Sequence, residues 1–90
     1  MYGVRTSVRA DRDIASLRQR ASRQDFERMR AAMKTLAEQP RPHGVQKIRG
    51  REIVYRIRVG NYRVIYEVYD KENMVLISRV LRRNETTYRT

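Results

Sequence analysis

The stretch EIVYRIRVGNYRVIYEVYD, residues 52–70, decides the fold. Apolar side chains occupy every second position on both sides of Gly60-Asn61, and Arg56, Arg58 and Arg63 fall out of phase with them. A period of two marks a strand with one buried face. A Gly-Asn dipeptide between two such runs reads as a two-residue β-hairpin turn. Counting outward from the turn fixes the register: Val59 opposes Tyr62, Arg58 opposes Arg63, Ile57 opposes Val64, Arg56 opposes Ile65 and Tyr55 opposes Tyr66. Directly opposed residues share a face. Ile53, Tyr55, Ile57, Val59, Tyr62, Val64, Tyr66 and Val68 are thus expected on one apolar face, and Arg56, Arg58 and Arg63 on the other.

Like charges directly opposed on a sheet are destabilising. An anion between Arg58 and Arg63 would reverse that sign, and guanidinium forks bind phosphate oxygens two at a time. The alternative is that one arginine reaches Glu52 or Glu67, or that the pair splays into water.

The rest of the chain supplies the partner for the apolar face. Residues 2–8 alternate as a short strand. Ala10, Ile14, Leu17 and Ala21 then recur at helical spacing, with Asp11 and Asp13 in the first turn, where carboxylates suit the helix dipole. Ser22 and Asp25 form a capping-box-like restart, and Phe26, Met29, Met33 and Leu36 make a second apolar stripe, read as core. The two prolines and glycine of QPRPHG, residues 39–44, end that helix. His43 lies in this loop, where it reads as exposed; it could move protons only if the loop folds back over the site. After the hairpin, DKEN (70–73) turns into MVLISRVL (74–81), a nearly continuous apolar strand of the kind buried on both faces. The expected fold is α+β, a single domain over residues 1–90 in the order β-α-α-β-β-β. A helical hairpin covers one face of a small, mostly antiparallel four-stranded sheet.

Charge narrows the function. The 90 residues carry 21 Lys+Arg against 10 Asp+Glu, a net charge of +11. Residues 41–63 and 79–90 hold +9 of that excess, whereas 9–38 mix both signs as a solvated helical surface does. Such an excess opposes compaction and points to an anionic partner, nucleic acid or an acidic protein. Lys47, Arg49, Arg51 and Arg89 are candidate RNA contacts. The tail RRNETTYRT (82–90) adds arginines and Tyr88, which can stack on a base or hydrogen-bond a phosphate or ribose. Zero cysteines exclude disulfides and thiolate ligands, and a lone histidine argues against a zinc site. No apolar run approaches the ~18 residues of a membrane span. The first residues lack the apolar core of a secretory signal, so a cytoplasmic protein is expected.

The element order, LAEQPRPHGVQKIRG (36–50), YRIRVGNYRVIYEVYD (55–70) and the closing RRNETTYR (82–89) together resemble the RelE toxins of type II toxin–antitoxin pairs. The resemblance implies a metal-free, cofactor-free endoribonuclease. Such an enzyme enters the ribosomal A site and cuts mRNA by attack of a 2′-hydroxyl on the adjacent phosphate, arresting translation. It also implies a cognate antitoxin with an acidic, partly disordered segment that wraps the toxin, in a complex of higher order. The matched catalytic positions are Arg56, Arg58 and Arg63 on the hairpin, Arg82 or Arg83 after the last strand, and Tyr88. One departure matters: family members with lysines at the first two positions can use one as a base, whereas arginine, with a pKa above ~12, is a poor base. Glu67, Glu85, His43 or a ribosomal RNA group are the candidates for that role. Two other readings stay open, a ParE-like non-enzymatic inhibitor of DNA gyrase on the same fold and a plain RNA-binding protein.

Overall fold

The computed structural model describes residues 1–82; Arg83, Glu85, Tyr88 and Arg89 lie outside the described residues. The elements run β1 (Gly3–Thr6), α1 (Val8–Arg20), α2 (Arg23–Thr35), β2 (Gln46–Lys47), β3 (Val54–Val59), β4 (Tyr62–Tyr69) and β5 (Met74–Arg82). The strands form one sheet in the order β1-β5-β4-β3-β2. Its pairs are antiparallel except β1 with β5, which are parallel. The α+β class and the order expected from the sequence hold. The sheet gains a fifth strand, because Gln46–Lys47 pairs with Arg56 and Tyr55 on the outer edge of β3. Two residues are too few for alternation to reveal them in a sequence.

Register in the β3–β4 hairpin is the one that Gly60-Asn61 dictates, from Val59 opposite Tyr62 through Tyr55 opposite Tyr66. Gly60 sits at φ 60, where a side chain would be strained. On one face, Ile57, Tyr62, Val64, Tyr66 and Val68 join a core completed by Ala10, Leu17, Met29, Met33 and Leu36 of the helical region. Both methionines pack as core, as their spacing predicts. Ile53 departs from expectation. It precedes β3 and stays 39% exposed, while its carbonyl accepts the Val68 N–H at 3.0 Å. The opposite face is not wholly polar either: Val54, Ile65 and Leu81 form a second small core with Ile48 beside it.

The helix starts are capped as their sequences require. Ser22 Oγ accepts the Asp25 N–H at 3.0 Å, and Ser7 Oγ accepts the Ala10 N–H at the same distance. Asp11 lies in the first turn of α1, but Asp13 has another task. Its carboxylate takes the Val80 N–H at 2.9 Å and the Arg79 guanidinium at 2.9 and 3.3 Å. Strand β1 pairs with β5 only as far as Ile77, so Asp13 satisfies a strand N–H beyond the end of that ladder.

Ser78 and Arg79, the polar exceptions in β5, mark a bulge. Ile65 opposes Arg79 and Tyr66 opposes Ile77, so Ser78 is the extra residue. Its hydroxyl donates to the Ile65 carbonyl at 3.0 Å, and its own carbonyl accepts the Ser7 hydroxyl at 2.9 Å. The bulge shifts the alternation so that Val80 returns to the helix-covered core and Leu81 to the opposite face. No helix among the described residues is long and apolar enough to cross a membrane.

Candidate phosphate-binding site

The three hairpin arginines come together on the face away from the helices. Arg58 stands opposite Arg63, and Arg56 is two residues back along β3. Their environments differ. Arg58 is exposed, whereas Arg56 and Arg63 are half-buried. The Nε atoms of Arg56 and Arg63 are buried with no hydrogen-bond partner among the described residues. Burial first, and then the like charges of Arg63 and Arg58, lower the pKa of the Arg56 guanidinium from its ordinary value. An exposed surface needs no such arrangement. It holds unspent donors and unbalanced positive charge in one place, which a phosphodiester would satisfy.

A cleft of about 150 Å³ flanks this cluster. It is lined by Arg56, Ile57 and Arg58 of β3 and by His43, Gly44 and Gln46. Strand β2 pairs with β3 at Tyr55 and Arg56 only. Past that point the edge of β3 faces the Pro42–Val45 turn. Gln46, opposite Arg56, accepts a hydrogen bond from its guanidinium. Sequence reasoning missed Gln46, because only the pairing of β2 puts it beside Arg56. It gave a condition for His43, that the loop fold back over the site; in the structure His43 is exposed and lines the cleft with Arg56 and Arg58.

The loop is fastened on both sides of His43. The Tyr66 hydroxyl, in a fully buried side chain, donates to the Pro40 carbonyl at 2.7 Å. Burial raises the pKa of that phenol, which keeps it a donor. Arg41 forks onto Asp70 at 2.8 and 3.2 Å and donates through Nε to the Tyr55 hydroxyl at 3.1 Å. Its guanidinium also lies 5.3 Å from the Tyr55 ring centre. Asp70 accepts the Tyr2 hydroxyl as well, at 2.7 Å. The Val45 N–H closes a turn on the Pro42 carbonyl at 3.1 Å, with Gly44 at φ 88, the type II pattern that puts His43 at the first central position.

Other predicted site residues lie elsewhere. Arg82 opposes Tyr62 and so alternates onto the helix-covered side, away from the three arginines. Arg83, Tyr88 and Arg89 fall outside the described residues. Lys47 ends β2 opposite Tyr55, and Arg49 and Arg51 lie in the β2–β3 connection, at the other end of β3 from Arg58. Lys47 is 3.5 Å from Glu52, and Gly50 bends the loop at φ 79. Glu67 opposes Val54. It lies four residues along β4 from Arg63, roughly 14 Å at strand rise, and its Oε1 accepts the Tyr69 hydroxyl.

Comparison with known proteins agrees with this architecture. The chain matches, over residues 4–87, the family described as ParE toxin of type II toxin-antitoxin system, parDE. In structure it is similar to a chain of the archaeal RelE–RelB complex from Pyrococcus horikoshii OT3, with a TM-score of 0.77 and 27% identity over 94% of this chain and 98% of that one. It is also similar to the RelBE2 toxin–antitoxin complex from Mycobacterium tuberculosis, with a TM-score of 0.65 and 29% identity over 91% and 98% of the two chains. The isolated Escherichia coli RelE toxin shares the fold, with a TM-score of 0.76 and 22% identity over 96% of this chain and 88% of that one. No curated protein matches the chain in sequence. The chain belongs to the ParE toxin family, within the RelE/ParE superfamily of type II toxins.

Proposed function

We propose that this toxin is a ribosome-dependent endoribonuclease that cuts mRNA in the A site without a metal. The observation that carries this reading is the Arg56–Arg58–Arg63 cluster, with two buried guanidinium N–H groups that lack a partner among the described residues. Such donors act on phosphoryl chemistry in two ways. They hold the scissile phosphate in line with the attacking 2′-hydroxyl, and they stabilise the charge that gathers on its oxygens in the transition state. The O2′–P bond forms as the P–O5′ bond breaks, leaving a 2′,3′-cyclic phosphate and a 5′-hydroxyl.

The same charge suits an antitoxin. An acidic, partly disordered segment would fold onto this surface, and opposite charge would speed the encounter at low salt. Cytoplasmic action and a toxin–antitoxin assembly of higher order belong to the same proposal.

A second reading has its own support, since the matching family is named for ParE. A ParE-like toxin would inhibit DNA gyrase without cutting RNA, and nothing in that role calls for an arginine cluster on the sheet. Purified toxin should cleave a synthetic mRNA on programmed ribosomes and leave gyrase supercoiling intact. Arg58→Ala with Arg63→Ala should abolish cleavage and growth arrest while remaining folded. Inhibited supercoiling with intact mRNA would reverse the ranking of the two.

A further inference from the structure

The geometry points to His43 as the group that accepts the 2′-hydroxyl proton, an inference that rests on the endoribonuclease reading. The hairpin raises the need for such a group. A guanidinium is a poor base, so Arg56, Arg58 and Arg63 can bind a phosphate but not take a proton. Glu67 is displaced along β4 and engaged by Tyr69.

His43 meets the requirement by position. It shares one cleft with Arg56 and Arg58. It is the chain's only histidine, and an imidazole is the side chain whose ordinary titration falls near neutrality. The charged groups around it can be named. Arg56 and Arg58 line the same cleft from β3. Within its own loop, Arg41 is turned to Asp70, and on β2 Lys47 is turned to Glu52. Among the described residues, no carboxylate lines the cleft.

Its backbone is held on both sides. Tyr66 fixes Pro40, Asp70 and Tyr55 fix Arg41, and the pairing of Gln46 with Arg56 fixes the exit. His43 itself is exposed, as the sequence suggests, on a loop tied down by these contacts. A phosphodiester on Arg56 and Arg58 would place the neighbouring ribose at the cleft that His43 also lines. The imidazole takes the 2′-hydroxyl proton as O2′ bonds to phosphorus. The P–O5′ bond breaks, and the departing 5′-oxygen takes a proton from water.

The test is single-turnover cleavage of a synthetic mRNA on programmed ribosomes, between about pH 5.5 and 8.5, a range that brackets imidazole titration. His43→Gln should lower the cleavage rate by about 100-fold and remove the rise in rate with pH. Its urea midpoint, and its retention on ribosomes carrying a 2′-O-methyl mRNA, should match the unaltered protein. In a second measurement, the lone imidazole C–H signals should shift when a dinucleoside phosphate is added, and should not in Arg58→Ala. A Gln variant with undiminished rate and pH profile overturns the inference while leaving the endoribonuclease reading intact. Imidazole signals indifferent to the dinucleoside phosphate also overturn it. If the unaltered protein leaves mRNA whole, the endoribonuclease reading fails and the inference with it.

Discussion

Replacing Arg63 with methionine should stabilise the isolated toxin while removing its activity. Arg63 is half-buried, stands opposite Arg58 and carries a buried Nε without a partner among the described residues. Two unit charges about 7 Å apart repel by ~0.6 kcal/mol in water and ~2.4 kcal/mol at an effective dielectric of about 20. Arg58 is exposed, so the lower half of that range applies, about 1 kcal/mol. A buried donor left unsatisfied costs about 1–3 kcal/mol. Methionine keeps the unbranched stem and its packing while removing both penalties. The expected gain is about 2–4 kcal/mol, or roughly 8–32 °C in Tm for a domain of this size. Urea unfolding with an unchanged m-value measures it. Salt should stabilise the natural protein more than the variant, because screening relieves only the former. A loss of more than about 1 kcal/mol in Arg63→Met would refute the reasoning, since Arg63 would then be held by interactions that the fold needs.

Other expectations concern the frame around the site. Tyr66→Phe should cost about 1–2 kcal/mol in urea unfolding, because the Pro40 carbonyl loses a buried donor. Asp13→Ala should cost about 1–3 kcal/mol by orphaning the Val80 N–H beyond the end of β1, and hydrogen exchange at Val80 should quicken. Asp70 is held below its usual pKa, first by Arg41 and then by Tyr2. A depressed carboxylate gives stability that is present above its unfolded pKa of about 3.9 and lost as pH falls through the folded value. Asp70→Asn should therefore lose stability near neutral pH and show a weaker further loss below about pH 4 than the natural chain, followed by thermal unfolding across that range.

Much of the fold was legible in the sequence because one short turn carries long-range information. Gly60-Asn61 fixes which residues oppose one another, so the juxtaposition of Arg58 and Arg63 came from counting. The helix stripes were legible for a similar reason, since a period near 3.6 over thirteen residues has few other meanings. What escaped depended on pairings that no local pattern encodes. The two-residue β2 leaves no periodicity, and with it went Gln46. Asp13 looked like a helix-start carboxylate because its real partner, Val80, is 67 residues away. Ser78 could be flagged as an exception in an apolar strand, but only the observed register identifies it as a bulge. The same bulge sets the phase of the residues after it, which is why Arg82 falls on the side of Tyr62. His43 reads as an exposed loop residue and is one; what no local pattern shows is that its loop is tied at Pro40 and Arg41 and lines a cleft with Arg56 and Arg58.

The central claim is that the arginine face handles the phosphate of an mRNA rather than binding a protein target alone. It is tested most directly by expressing the toxin without an antitoxin, and mapping mRNA 5′ ends in translated and untranslated copies of one message. New 5′-hydroxyl ends are expected within the translated copy, facing 2′,3′-cyclic phosphates, and none from the Arg58→Ala, Arg63→Ala protein. Growth arrest with every message intact, or equal arrest by the doubly substituted protein, would contradict it.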